Sequence, residues 1–140
     1  MLTPPRWNFG DMAITPDGHT AYLTDEYSIL PLNLATNTFG AAISVPGGVG
    51  PFIALAPDGS TAYVIGNNTL QPIQLPSGKI GTPITLPVQG FDVTGLAITR
   101  NGRTAYVPAL DWVLTVNLSR GRYKNEIPVP GGAYAVAIAP

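Results

Sequence analysis

Few residues in this chain have the means to do chemistry. Asp25, Glu26, Asp92 and Asp111 bring carboxylates, and Tyr27 and Trp112 bring aromatic faces on which a ligand can stack. Carboxylates of this kind serve as acid, base or ligand to a hard cation such as Ca²⁺, which takes oxygen donors. The acids are scattered, however, and no Asp-x-Asp-x-Asp-Gly loop gathers them. No cofactor is therefore expected, and Ca²⁺ is the one ion the set would suit. Residue types exclude other chemistries. There is no cysteine, so disulfides, thiol catalysis and Cys-ligated metals are out. His19 is the only histidine and sits in an Asp-Gly turn, which leaves neither a Ser-His-Asp triad nor a His-rich metal centre. No Gly-x-Ser-x-Gly occurs, and Gly47 to Gly50 precede a strand pattern, so they make no phosphate cradle.

The elements that must carry these residues are short strands. Sixteen glycines and 15 prolines in 140 residues interrupt the chain too often for helix bundles, while a 45% hydrophobic share clustered in short blocks argues for a packed β-rich protein. Charged residues make up 11% and the net charge is −1, which gives no basis for binding nucleic acid by bulk charge. No charge falls between Glu26 and Asp58, but Pro and Gly break that stretch every few residues, so it is no membrane helix. The opening MLTPPRWNFG lacks the apolar core of a signal peptide.

Self-similarity organises the rest. MAITPDGHTAYLTD (Met12 to Asp25), IALAPDGSTAYVIG (Ile53 to Gly66) and LAITRNGRTAYVPA (Leu96 to Ala109) are copies of one unit, and VAIAP starts a fourth. Tyr22, Tyr63 and Tyr106 are spaced by 41 and 43, and the same offsets relate Pro31, Pro72 and Thr115, then Ile43, Ile84 and Ile127. Each unit reads as four strands, A to D, with an Asp-Gly or Asn-Gly pair expected to make a tight A–B hairpin in which both residues tolerate φ > 0. A repeat of about 40–45 residues with four strands is the mark of a propeller blade. The expected architecture is all-β: three four-stranded antiparallel blades at about 11–46, 52–87 and 95–130, with the first strand of a fourth at about 135–140. Strand A alternates large residues (Met12 and Ile14, Ile53 and Leu55, Leu96 and Ile98) with small ones, so a bulky face should meet the hollow face of the next blade. The tyrosine series is expected in the core. Pro31 and Pro72 within strand C are tolerable only where a missing N–H falls at a bulge or an unpaired position.

The segments AITPDGHTAYLTD, LNLATNTFG (Leu32 to Gly40) and ISVPGG (Ile43 to Gly48) resemble the YVTN-type, or surface-layer-like, β-propeller repeat family over nearly the whole chain. The signature departs from the pattern, reading Tyr22-Leu-Thr-Asp, Tyr63-Val-Ile-Gly and Tyr106-Val-Pro-Ala, and Arg100-Asn101 replaces Pro-Asp in the third unit. The resemblance implies an extracytoplasmic setting, secreted or at the envelope, and a repertoire of binding domains, scaffolds and a few enzymes.

Three blades are too few to close a ring. Leu2 to Gly10 align with Leu86 to Thr94, Trp7 matching Phe91, so both ends look like cuts through a longer array; the expected partners are its remaining blades or, alternatively, a second copy joined head to tail. In a meander the B–C and D–A connections share one end of every blade. That end receives Asp11, Asp25, Glu26, Asp92, Asp111 and Arg6; the opposite end receives six bases with Asp17, Asp58 and Glu126. Aromatic residues and the changes in repeat length also fall on the acidic end, where repeat proteins place binding. The expectation is a non-catalytic recognition or scaffolding segment that takes a protein, small-molecule or carbohydrate ligand on this face through Asp25, Glu26, Tyr27, Asp92, Asp111 and Trp112. The alternative is a lactonase-like or lyase-like propeller enzyme using those carboxylates or a bound cation.

Overall fold

In the computed structural model, which describes residues 10–139, three antiparallel sheets follow one another along the chain. The first contains β1 (Met12–Ile14), β2 (Thr20–Asp25), β3 (Ser28–Asn33), β4 (Thr38–Phe39) and β5 (Ile43–Ser44). The second contains β6 (Ile53–Leu55), β7 (Thr61–Ile65), β8 (Thr69–Gln74) and β9 (Ile84–Thr85). A 3₁₀ turn at Gly90–Asp92 leads to the third, made of β10 (Ala97–Ile98), β11 (Thr104–Ala109), β12 (Trp112–Asn117) and β13 (Arg122–Pro128). Each is a meander in chain order, as the repeat predicts. The first has five strands because its strand D is split, β4 and β5 both pairing with β3. Residues 132–139, which hold the sequence expected of a fourth strand A, pair with no strand among the described residues. Leu2 to Phe9, expected to match the tail of a strand D and its connection, lie outside the described residues, as does Pro140.

The core lies in the seams between blades. Tyr22, Ile29 and Val45 of the first blade pack against Ile53, Ala62, Val64 and Ile73 of the second. Leu70, Ile84 and Leu86 of the second pack against Ala105, Val107, Leu114 and Val116 of the third. Large strand A residues face the preceding blade. Ile53 is accordingly buried, whereas Met12 and Ile14, with no described blade before them, are each 52% exposed. At the other end Val136 and Ile138 are half-buried while Ala137 and Ala139 face out. The tyrosines grade the same way: Tyr22 is buried, Tyr63 and Tyr106 only partly, so the expectation of a uniformly buried series does not hold. Burial raises the hydroxyl pKa of both Tyr22 and Tyr63.

The A–B turns differ from the expected tight hairpin. Thr15, Ala56 and Thr99 donate their N–H to Thr20, Thr61 and Thr104 at 2.8–2.9 Å, enclosing four residues rather than two. Only the glycine takes positive φ (Gly18 74°, Gly59 73°, Gly102 68°). Asp17, Asp58 and Asn101 act through the side chain instead, each Oδ1 accepting the N–H two residues on at 2.9–3.0 Å. These turns also lock blade to blade, since a Cβ added at Gly59 would sit 3.1 Å from Cδ of Pro16 and one at Gly102 would sit 3.4 Å from Cδ of Pro57.

The strand C prolines find their explanation in strand D. Gly40 and Gly81 donate to the carbonyls of Pro31 and Pro72 at 2.8 Å, at the points where strand D is interrupted. Because N and C=O of one residue point to the same side of a strand, each proline nitrogen faces that interruption, where no acceptor waits. The third blade carries Thr115 at this position, and its strand D continues through a register shift between Thr115 and Val116. Lys124 stands where the other blades have Gly40 and Gly81.

Candidate functional site

The B–C turns and D–A connections form one end of the array, held by a backbone frame that repeats in all three blades. Val45, Leu86 and Val129 donate to the carbonyls of Tyr27, Asn68 and Asp111 at 2.7–2.8 Å. Val49, Gly90 and Ala133 donate likewise to Glu26, Asn67 and Leu110. Each connection is thereby pinned to the turn of its own blade, and what varies is the side chains set on this frame. Beyond it three residues separate Val49 from β6 and six separate Gly90 from β10, while two separate Ala133 from the strand A pattern that opens at Val136. The extra length after Gly90 carries Asp92 within the 3₁₀ turn.

Asp11 and Thr94 serve the frame. Asp11 accepts the N–H of Met12 at 2.8 Å on Oδ1 and that of Ile53 at 3.2 Å on Oδ2, so one carboxylate ties the first two inner strands together. Thr94 Oγ1 donates to the carbonyl of Ala133 at 2.6 Å, anchoring the segment that follows the third blade.

The six candidate residues do not form one site. Glu26 and Tyr27 border a groove of about 350 Å³ between the first two blades whose remaining wall is largely Gly47 to Pro51, with Gly66, Asn67 and Gly90. Asp25 and Glu26 border an adjoining hollow of about 260 Å³ with Thr24 and Gly50. The Tyr27 hydroxyl bonds to Glu26, which holds its pKa above the usual value. Asp92 and Trp112 border a separate groove of about 460 Å³ between the second and third blades. Asp111 is exposed and lines none of these three. Among the described residues no three His, Cys, Asp or Glu side chains converge as they would around a metal ion, and no helix is long and apolar enough to cross a membrane.

Two residues of the second groove escape the sequence reasoning. Glu126, assigned above to the basic end, lies well inside β13 opposite Leu114 and lines the groove with Asp92. Its signal was the alternation Lys124, Glu126, Pro128 along a strand whose start is Arg122. Leu110 stands where the other turns have Glu26 and Asn67, adopts φ 52° and is 56% exposed. On the opposite end His19 and Asp17 make an exposed pair at 3.6 Å, in keeping with a solvated turn. Arg120, Arg122 and Lys124 ring a hollow of about 230 Å³ with Asn117 and Tyr123. The Tyr123 hydroxyl is buried with no hydrogen-bond partner among the described residues.

No family model matches the chain, and no curated protein does. Solved structures do. Kuenenia stuttgartiensis hydrazine synthase matches with a TM-score of 0.81 at 16% identity, over 96% of this chain and 40% of that one. U3-55K matches with 0.78 at 15% identity, over 94% and 42%, and the WD40 repeats of RRP9 with 0.78 at 16% identity, over 94% and 42%. The chain spans about two fifths of the length of these structures. At such identities the likeness is one of fold, and the fold is that of consecutive β-propeller blades, a partial propeller.

Proposed function

We propose that the chain supplies three blades of a surface-layer-like β-propeller repeat protein, secreted or held at the cell envelope, that recognises a partner without catalysis through its B–C and D–A loops. The observation that carries this reading is the contrast between the two ends. At the A–B end the same turn recurs with the same bonds and the same interlock from blade to blade. At the other end an equally regular backbone frame displays different side chains and different connection lengths on every blade. A constant scaffold that varies only its loops at one rim is how repeat proteins build recognition surfaces. Exposed Tyr27, Leu110 and Trp112 lie on that rim and give it the aromatic and apolar content of interface anchors.

The test is to pan a displayed peptide library on the folded chain and challenge the binders with two redesigned proteins. One replaces the exposed residues of the three A–B turns with Gly and Ser; the other does the same to the B–C turns. Recognition by the rim predicts that binding survives the first redesign and is lost in the second. Binders that follow the A–B turns refute the assignment.

A further inference from the structure

We infer that the groove between the second and third blades binds the guanidinium group of an arginine in a basic segment of a partner protein. The inference rests on the recognition role proposed above and specifies what one part of the rim recognises.

The groove is built by the irregularities of the repeat. One wall is the longer D–A connection, contributing Val88, Gln89 and Asp92; the other is the face of β12 and β13 turned toward the second blade, contributing Trp112, Leu114 and Glu126. Trp112 and Leu114 alternate on one face of β12, and Glu126 is the cross-strand neighbour of Leu114, so the three must lie side by side. Leu114 is buried and forms an apolar floor. Trp112 stands where the other blades have Ser28 and Thr69, and Asp92 lies in the stretch that makes this connection the longest. Neither feature is a product of the shared scaffold.

The chemistry of this lining selects its occupant. It holds two carboxylates, Asp92 and Glu126, and no basic side chain. Neither carboxylate has a hydrogen-bond or ion-pair partner among the described residues. Asp92 is half-buried and Glu126 exposed, so both carboxylates are open to a cation arriving from solvent. Trp112 is 41% exposed and offers the ring face over which a cation is attracted. A guanidinium meets both demands, because its planar fork presents donors in two directions while its face stacks on an indole; an ammonium meets them as a point charge only. A metal ion would find too few oxygen ligands here. A neutral sugar would stack on Trp112 but leave both charges uncompensated. Leu110 completes the argument: a leucine at φ 52° occupies backbone that glycine or asparagine would hold with less strain, and it borders the groove where the methylene stem of an arginine would lie.

The experiment is fluorescence anisotropy of a labelled Gly-Arg-Gly-Arg-Gly peptide on the intact chain at low salt. Matched peptides carry citrulline, the uncharged analogue of arginine, or lysine; thermal melts run in parallel. Replacement of arginine by citrulline should weaken binding at least about tenfold, with lysine intermediate. Trp112→Ala and the double variant Asp92→Asn/Glu126→Gln should each cost about tenfold as well. Leu110→Gly should weaken binding while leaving the melting temperature equal or higher, a combination that a purely structural leucine would not give. Equal binding of the arginine and citrulline peptides overturns the inference, as does indifference to Trp112→Ala or a neutral oligosaccharide that quenches Trp112 where the arginine peptide does not. Library binders that depend on the rim yet ignore Trp112 also overturn it while leaving the recognition role standing.

Discussion

Ile84 and Ile127 occupy the same position of successive repeats and differ only in what covers them. Ile84 is 4% exposed, packed in the seam between the second and third blades, while Ile127 is 45% exposed on the far face of the third. Ile84→Ala removes three buried carbons, worth about 0.8 kcal/mol each by transfer, and leaves a cavity between two sheets that cannot fully collapse, for a total of about 3–4 kcal/mol. Ile127→Ala removes the same atoms from a surface that water already half covers, and water fills the gap, so about 1 kcal/mol is expected. Any difference in strand propensity between Ile and Ala is common to both and cancels. The expected gap of about 2–3 kcal/mol corresponds to melting temperatures about 8 °C apart for a chain of this size. Urea and thermal unfolding followed by circular dichroism, at protein concentrations low enough to keep the chain monomeric, measure it. Equal losses at the two positions would refute the assignment of the seams, since they would mean either that Ile84 is not in a dry interface or that the far face of the third blade is covered as well.

Three further outcomes follow from the same geometry. Asp17 and Asp58 have pKa values held below 3.8, first by the side-chain hydrogen bonds from Thr15 and Ser60 and then by backbone N–H groups, so the stability they add is full above pH 3.8 and lost as pH falls through their folded values. Asp17→Asn/Asp58→Asn should therefore show a shallower decline of the urea midpoint between pH 5 and pH 2.5, and a decline as steep as the parent's would contradict the turn bonding. Gly81→Ala places a Cβ 3.0 Å from Cγ and 3.2 Å from the carbonyl oxygen of Pro72, for a cost of about 1–2 kcal/mol. In a Pro72→Thr background, which borrows the residue of the third blade, that cost should fall by about half, and a double-mutant cycle with no coupling would show that ring and glycine do not meet. Tyr123→Phe removes a buried hydroxyl with no partner among the described residues and should raise stability by about 1 kcal/mol, whereas a loss would reveal a hydrogen bond made by that group.

Much of this architecture is legible because it is local. The alternation Met12-Ala13-Ile14, the Pro-Asp-Gly punctuation and the offsets of 41 and 43 state where strands, turns and blades lie, since each depends on residues a few positions apart. The same alternation states which face of strand A is bulky, and the buried Ile53 beside the exposed Met12 follows from it. The turn chemistry was only half legible: Asp17-Gly18 marks the corner, but a turn of four residues rather than two is set by which backbone groups meet across the strands. The strand C prolines signal a bulge or an unpaired position but not its partner: Gly40 and Gly81 face them across a broken ladder, nine residues further along the chain.

What the chain alone determined is thus the unit and its count; what the tertiary structure decided is how the rim is divided. The acids and aromatics of the B–C and D–A loops belong to different blades, and only the wedge angle and the lengths of the connections settle that Glu26 and Tyr27 border one groove while Asp92, Trp112 and Glu126 border another. The position and facing of each strand are encoded by side-chain periodicity along a segment, whereas the company a loop residue keeps depends on the packing of two sheets against each other, a sum over both seams that no single segment contains.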